Sequence, residues 1–426
     1  MTADTTYGER MVLRTAFEAL RAGVPNRAAV ALLGSTEDAI EERFEAGLAH
    51  IWDAAPPLGS MMPGLLVAGG FGTGKSHLLG FLRELALRQN FVVSIVSVSK
   101  ETPLPSPPAM FAAALRNTIV PGHTDDAMTA ALALLQRRPG AVQQLELLAS
   151  AVDSQLSPVF AAILHLLRRQ LPADLLRRIE NFLAGGKLPG PALRQALNQA
   201  GARGVFTLTG ASEAALAQQR EIFTPLLFQA AGFAGWCVLL DEVELIGRYS
   251  PLQRARAYAE LGRWLGLGIN EGPNSHGRIA GRHVAAVITD DFAAQVINAR
   301  QDDEKLPERL RLKGDAAQAD LALAAMRAIE AAPVLHAPTE ADLHRHAETL
   351  RRGYAAAYGW NAPVLPLAER RTNRTMRHHI RGWITQWDLL RVQGRASRVE
   401  HTSLAANYTE SDDLTDAPPP ESAPES

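Results

Sequence analysis

The chain has 426 residues, 47% of them apolar and 21% charged, which is the make-up of a soluble globular protein with room for two or three cores. A formal charge of −2 excludes a globally basic nucleic-acid binder, so any such surface has to be local. A single cysteine, Cys237, excludes an internal disulfide framework and fits a reducing cytosol; no stretch approaches the ~20 apolar residues of a membrane span, and residues 1–10 lack the apolar core of a signal peptide.

The predicted elements begin with helices over residues 7–54. Leu13, Phe17 and Leu20 recur at helical spacing within residues 10–21. Gly23-Val24-Pro25-Asn26 breaks that period, and a second helix starts at Pro25 or Asn26 and ends at Gly34. Ser35-Thr36-Glu37-Asp38 caps a third, over residues 39–51. These helices are either a partner-binding or nucleotide-lining unit or a cap on the sheet that follows. Residues 54–59, rich in Ala and Pro, read as a linker.

Leu65-Leu66-Val67-Ala68 is short and apolar enough for a buried strand. It leads into Gly69-Gly70-Phe71-Gly72-Thr73-Gly74-Lys75-Ser76, and His77 then opens a Leu-rich helix over residues 77–87. Strand, glycine loop and helix are the context that G-x-x-x-x-G-K-[ST], the P-loop, requires. Glycines let backbone amides turn inward onto a phosphate, and the helix start adds positive potential. Lys75 is placed to reach the β- and γ-phosphates of ATP and Ser76 to hold Mg²⁺.

A β-branched strand follows at residues 91–98, then a cluster of Pro103, Pro105, Pro107 and Pro108 that excludes regular structure. Residues 109–229 are Ala- and Leu-rich with helical periods. That is far more than a P-loop core needs between two strands, so most of this stretch reads as a helical insertion. Residues 235–242 form an unbroken apolar run ending in Asp241 and Glu242, as in a strand buried on both faces. Asp241 suits the Mg²⁺ shell, and Glu242 suits orienting and deprotonating the attacking water. Glu244 is a weaker candidate for the same chemistry, with a helix-start charge as the plainer reading.

A helix over residues 253–265, a loop over 266–281 and a buried strand over 283–289 come next. The strand ends in Thr289, which would lie beside Asp241 if the strands are neighbours, and Asp290-Asp291 could cap a helix over 292–300. Residues 301–313 are charged and Pro-interrupted. Arg300, Arg309 and Arg311 lie where an arginine could reach a neighbouring copy's nucleotide; surface pairing is the plainer role. Residues 332–336 suggest a short fifth strand, and Thr339 starts a helix to about 358.

Residues 351–400 carry ten arginines against three acids. Ile380, Trp383, Ile384 and Trp387 follow helical spacing, so they form one apolar face, with Arg374, Arg377 and Arg381 beside it. One arginine could enter a nucleotide cleft and others could meet DNA phosphates, but a solvated face over a core of aromatics is the plainer reading. From Glu410 on there are six acids and no bases, and the tail is expected to be disordered.

Taken in order, these motifs resemble the AAA+ class of P-loop ATPases, near the origin-recognition type. The phrases Ala22-Gly23-Val24-Pro25-Asn26-Arg27, Gly69 to Leu79, Leu239-Leu240-Asp241-Glu242-Val243-Glu244 and Glu304 to Leu312 are similar to the ATP-binding proteins of bacteriophage-exclusion (BREX) systems. The resemblance implies an α/β fold with a parallel sheet, N-terminal helices, a large helical insertion and a C-terminal helical lid. It divides the chain into a helical region (1–58), an ATPase core (59–338, insertion about 109–229), a lid (339–400) and an acidic tail (401–426). It also implies that Gly69 to His77 bind the nucleotide, that Ser76 and Asp241 hold Mg²⁺ and that Lys75 and Glu242 serve hydrolysis. Thr289 then looks like a first sensor, Arg309 or Arg311 like an arginine finger and Arg377 like a second sensor. The function implied is a cytoplasmic ATPase of a phage-defence complex, working with other defence proteins, possible copies of itself, and DNA. A scaffold gated by nucleotide and a helicase loader stand as alternatives. Too little sequence follows residue 392 for a winged-helix DNA reader.

Overall fold

A computed structural model of the chain describes residues 6–24, 26–52, 63–151, 154–208, 212–267, 280–365, 375–394 and 408–411. The expected linker at 54–59, most of the 266–281 loop, Arg370, Arg371, Arg374, Arg395 and Arg398 lie outside these residues.

Local sequence sets the element ends. Helix α1 (Tyr7–Ala22) starts at a capping box between Thr6 and Glu9 and stops at Gly23, whose φ of 75° suits a residue without Cβ. Helix α2 (Arg27–Leu33) is capped by Asn26, whose Oδ1 accepts from the Ala29 amide at 2.8 Å, and α3 (Asp38–Trp52) follows. Strand β1 (Leu65–Ala68), α4 (Lys75–Arg88) and β2 (Val92–Ser97) make the first strand–helix–strand unit.

The stretch between β2 and the next long strand is mostly helical, with two departures from expectation. Helix α5 (Pro107–Arg116) begins on the prolines that were expected to exclude regular structure. At a first turn their missing N–H has no intrahelical partner to lose, and their fixed φ is already helical. The two-residue β3 (Thr118–Ile119) then pairs antiparallel with β2 at the sheet edge. Helices α6 (Ala127–Gln136), α7 (Pro139–Ser150), α8 (Pro158–Leu167), α9 (Ala173–Leu183), α10 (Gly190–Gln199) and α11 (Glu213–Ala231) complete the insertion.

Strand β4 (Trp236–Asp241) runs into a 3-10 turn, Val243–Arg248, then α12 (Pro251–Trp264) and β5 (Arg282–Ile288). Where a capped α-helix was expected after β5, a π-helical stretch spans Ala293–Asn298. Helix α13 (Asp302–Leu312) continues through Pro307, which was read as an interruption. Pro307 deprives only the carbonyl of Asp303, an exposed first-turn residue that water can serve. Helices α14 (Ala316–Glu330), α15 (Glu340–Tyr358) and α16 (Met376–Gln393) end the regular structure.

The sheet order is β1-β5-β4-β2-β3, parallel except for β3. The short fifth strand expected near 332–336 is a single parallel bridge, Ala68 to Val334, held by hydrogen bonds of 2.8 Å on either side of Ala68. Side chains alternate between the two faces. Leu65, Val67, Cys237, Leu239, Ala285 and Val287 pack under α3 and α4, while Leu66, Trp236, Val238, Leu240, Ala286 and Ile288 join the larger core with α5, α11, α12 and α14. A third core unites the two ends of the chain. Ala16, Phe17 and Leu20 of α1 pack with Tyr354 of α15 and with Ile380, Trp383, Ile384 and Trp387 of α16. The tryptophan face of α16 is thus core, as the plainer reading had it. Arg21 forks onto both oxygens of Asp388 at 2.7 and 2.8 Å, pinning α1 to α16.

Candidate functional site

β1 and β4 flank β5, so the segments after these three strands meet at one edge of the sheet. The glycine loop follows β1, Asp241 ends β4, and Thr289 follows β5 between them. The loop is tied to that edge by the Gly69 amide, which donates to the Ile288 carbonyl at 2.9 Å. Within it Gly72 and Gly74 have φ of 76° and 117°, values that strain any residue with a Cβ. A Cβ on Gly74 would project into open space, while one on Gly72 would stand 2.8 Å from Thr375 Oγ1. Gly74 is also the N-cap of α4 and brings no side chain to satisfy the first-turn amides. The loop is therefore a cradle with free donors at a helix start, a shape that takes an anion.

Lys75 carries the positive charge into this cradle. Its Nζ donates to the Gly69 carbonyl at 2.9 Å and lies 5.0 Å from the Phe71 ring centre. It also stands 3.6 Å from Glu244 Oε1, with both side chains about nine-tenths buried. Glu244 thus does more than start a helix. The 3-10 turn after β4 folds it back beneath the loop, and its Oε2 is buried without a hydrogen-bond partner. Burial pushes its carboxyl up to about 7, against the pull of Lys75. An orphaned carboxylate oxygen beside a buried ammonium fits a site built for a further polar occupant.

Asp241 Oδ1 accepts from the Glu242 amide at 2.9 Å. Glu242 holds a φ of 59°, unusual outside glycine, and its side chain stays exposed. Partial burial and the neighbouring Asp241 raise its carboxyl above the usual range, while the charges of Lys75 and Arg377 oppose that. Both cations are thus within electrostatic reach of Glu242.

Beside the loop lies a cavity of about 370 Å³, lined by α1 and α2, by Gly72 to Gly74, by Ser76 and His77, and by α15 and α16. His77 is half-buried and its Nε2 is 2.7 Å from the Gly34 carbonyl, so it ties the loop helix to α2. Burial lowers its pKa. Arg377 reaches the cavity from the start of α16. Its amide donates to the Gly72 carbonyl at 3.4 Å, and its side chain lies 3.5 Å from where a Cβ on Gly23 would be.

The structure therefore brings together Gly69 to His77, Asp241, Glu242, Thr289 and Arg377. It does not bring the remaining arginines into this cluster by any hydrogen bond or ion pair among the described residues. Arg309 is exposed without such a partner, Arg311 pairs with Asp320 at 2.9 Å, and Arg300 donates to the carbonyls of Gly247 and Tyr408. Of the residues at the site, Glu244 was only a weaker candidate and Tyr408 was not foreseen. Glu244 has a signal in the sequence, since it follows Asp241 by one helical turn. Tyr408, whose hydroxyl meets Thr289 Oγ1 at 2.5 Å, has only its oddity as an aromatic residue ahead of an acidic stretch. Residues 408–411 dock by way of that ring and of Glu410 on Arg254.

The residues present fit a nucleoside triphosphate with a divalent cation. The cradle and Lys75 suit the phosphates, and Ser76 and Asp241 are oxygen donors of the kind Mg²⁺ takes. Among the described residues no group of three or more His, Cys, Asp or Glu could hold a metal ion, so a cation here would draw the rest of its shell from phosphate and water. No helix among the described residues is long and apolar enough to cross a membrane.

Comparison with curated proteins gives no match, and comparison with solved structures gives none. One family model, described as BREX system ATP-binding protein BrxC/D, matches residues 13–136, the stretch that runs from α1 through the glycine loop to α6. Over that stretch the chain is similar to the BREX system ATP-binding protein BrxC/D family.

Proposed function

We propose that the chain binds and hydrolyses ATP as an AAA+-type subunit of a bacterial phage-defence complex. One observation carries this reading: Lys75 of the glycine loop and the acidic turn after β4 meet in space, with Lys75 Nζ 3.6 Å from Glu244 Oε1. Gly69 to His77 hold the phosphates, and the cavity between α1, α2, α15 and α16 takes the base. Ser76 and Asp241 hold Mg²⁺, which would neutralise charge between the outer phosphates. Glu242, with its raised carboxyl, orients and deprotonates the attacking water. Thr289 and Arg377 read the state of the nucleotide, and Arg309 or Arg311 serves a neighbouring copy.

The core shared by α1, α15 and α16 supports a domain division in which α1 and α2 ride with the lid and α3 with the sheet. Nucleotide bound between them would then couple turnover to lid movement, and through it to partner proteins or DNA. A phosphate-release assay on the wild type and Glu242→Gln tests the reading: turnover lost with nucleotide retained supports it, and unchanged turnover overturns the role of Glu242. A nucleotide-gated scaffold with little turnover is the second reading, favoured by the covering of Thr289 by Tyr408. Brisk multiple-turnover release rules it out.

A further inference from the structure

Residues 408–411 lie on the sheet edge that carries the site. Tyr408 Oη donates to Asp291 Oδ1 at 2.7 Å and lies 2.5 Å from Thr289 Oγ1. A phenol has one hydrogen to give. With that hydrogen on Asp291, the hydrogen in the shorter contact is the threonine's, donated to Tyr408 Oη. Thr289 is 2% exposed, so its only donor is spent and its surface is covered.

The docking is specific. The Tyr408 ring stands edge-on to Phe292, with centres 5.8 Å apart and planes at 86°. It lies so close to the 3-10 turn that a Cβ on Gly247 would come within 3.0 Å of Tyr408 Cδ1. Arg300 bridges the two, donating to the Gly247 carbonyl at 2.9 Å and to the Tyr408 carbonyl at 2.6 Å. Glu410 Oε1 accepts from Arg254 Nη1 at 2.8 Å, and the Ser411 amide donates to the Arg248 carbonyl at 3.2 Å. Arg254 is itself held by both oxygens of Asp302 at 2.8 and 2.9 Å, so the clamp on Glu410 is rigid. These contacts are few and mostly polar, which keeps the docking reversible.

We propose that residues 408–411 form an autoinhibitory strap, with Tyr408 positioning Thr289 in an inactive hydrogen-bonding state. While the strap is docked, Thr289 can only accept, and its hydroxyl is denied to a phosphate oxygen. When the strap leaves, Thr289 becomes a donor facing the site, and Asp291 and Arg300 are released with it. The proposal rests on the ATPase reading above and adds a control to it.

The test uses the full chain. Tyr408→Phe keeps the ring and removes both hydrogen bonds; Glu410→Gln weakens the clamp and leaves Tyr408 in place. Glu410→Gln is expected to raise the rate of phosphate release by about fivefold, the factor that one lost hydrogen bond gives to a docking equilibrium, and Tyr408→Phe, which loses two, by at least as much. Hydrogen exchange of the wild type is expected to show faster exchange over 408–411 when MgATP saturates the protein. Turnover unchanged or lowered in both variants overturns the strap, and so does equal protection of 408–411 with and without bound MgATP. A wild type that binds no ATP overturns the underlying reading and the strap with it, whereas ATP binding without release of 408–411 overturns the strap alone.

Discussion

Lys75 Nζ and Glu244 Oε1 stand 3.6 Å apart in a site where each side chain is only 10% exposed. The pair joins the loop after β1 to the turn after β4 across the intervening β5. It also means that a phosphate must draw Lys75 from an existing acceptor and sit near a buried carboxyl. Glu244→Gln removes the competing charge, so ATP affinity is expected to rise roughly tenfold, the factor that corresponds to about 1.4 kcal/mol. Titration with a fluorescent ATP analogue checks this; weaker binding would make Glu244 a supporting ligand instead.

Arg377 reaches the site from the lid. Its amide is hydrogen-bonded to Gly72, and its charge acts on Glu242. Arg377→Ala is expected to lower ATP affinity by about ten- to a hundredfold, as for loss of a hydrogen bond to a charged group. Arg377→Lys keeps the charge without the fork and should fall between. Isothermal titration of both variants gives the comparison, and wild-type affinity in the alanine variant would remove Arg377 from the site.

Arg309 is exposed, whereas Arg311 is engaged with Asp320. If a neighbouring copy supplies the finger, Arg309→Ala should leave ATP affinity nearly unchanged and cut turnover by about a hundredfold or more. Sedimentation with and without ATP should then show an assembly. Monomers at every ATP concentration, with full turnover, would contradict this.

His283 sits in β5 beneath Phe44, with ring centres 5.3 Å apart, and a Cβ on Gly47 would come within 2.3 Å of the imidazole. Burial lowers its pKa to about 4 from an ordinary 6.5. Between those values the unfolded chain holds the proton and the folded chain does not. The neutral-histidine contribution is therefore fully present above pH 6.5 and is lost as pH falls toward 4. Stability should fall by about 2 kcal/mol from pH 7.5 to 5 on this account. Chemical denaturation of the wild type and His283→Leu at the two pH values tests it, since the variant should lose less.

Much of this architecture was legible because its signals are local. The β1–loop–α4 unit, the apolar run ending at Asp241 and the tryptophan spacing of α16 each follow from contiguous residues. What was missed depends on contacts distant in sequence. Nothing near Glu244 shows that its turn folds under Lys75, and nothing near Tyr408 shows that its hydroxyl meets Thr289, 119 positions away. The shared core of α1 and α16 was hidden for the same reason. The prolines at 107, 108 and 307 misled by type: a proline breaks a helix only where it removes a bond the helix needs.

The central claim is that Lys75 and its neighbouring amides hold the phosphates of ATP. Equilibrium binding of MgATP to the wild type and to Lys75→Ala tests it most directly. The account predicts that the alanine variant, still folded by circular dichroism, binds at least about a hundredfold more weakly, as for loss of charge-assisted bonds to phosphate. Equal affinity in the two proteins would contradict it.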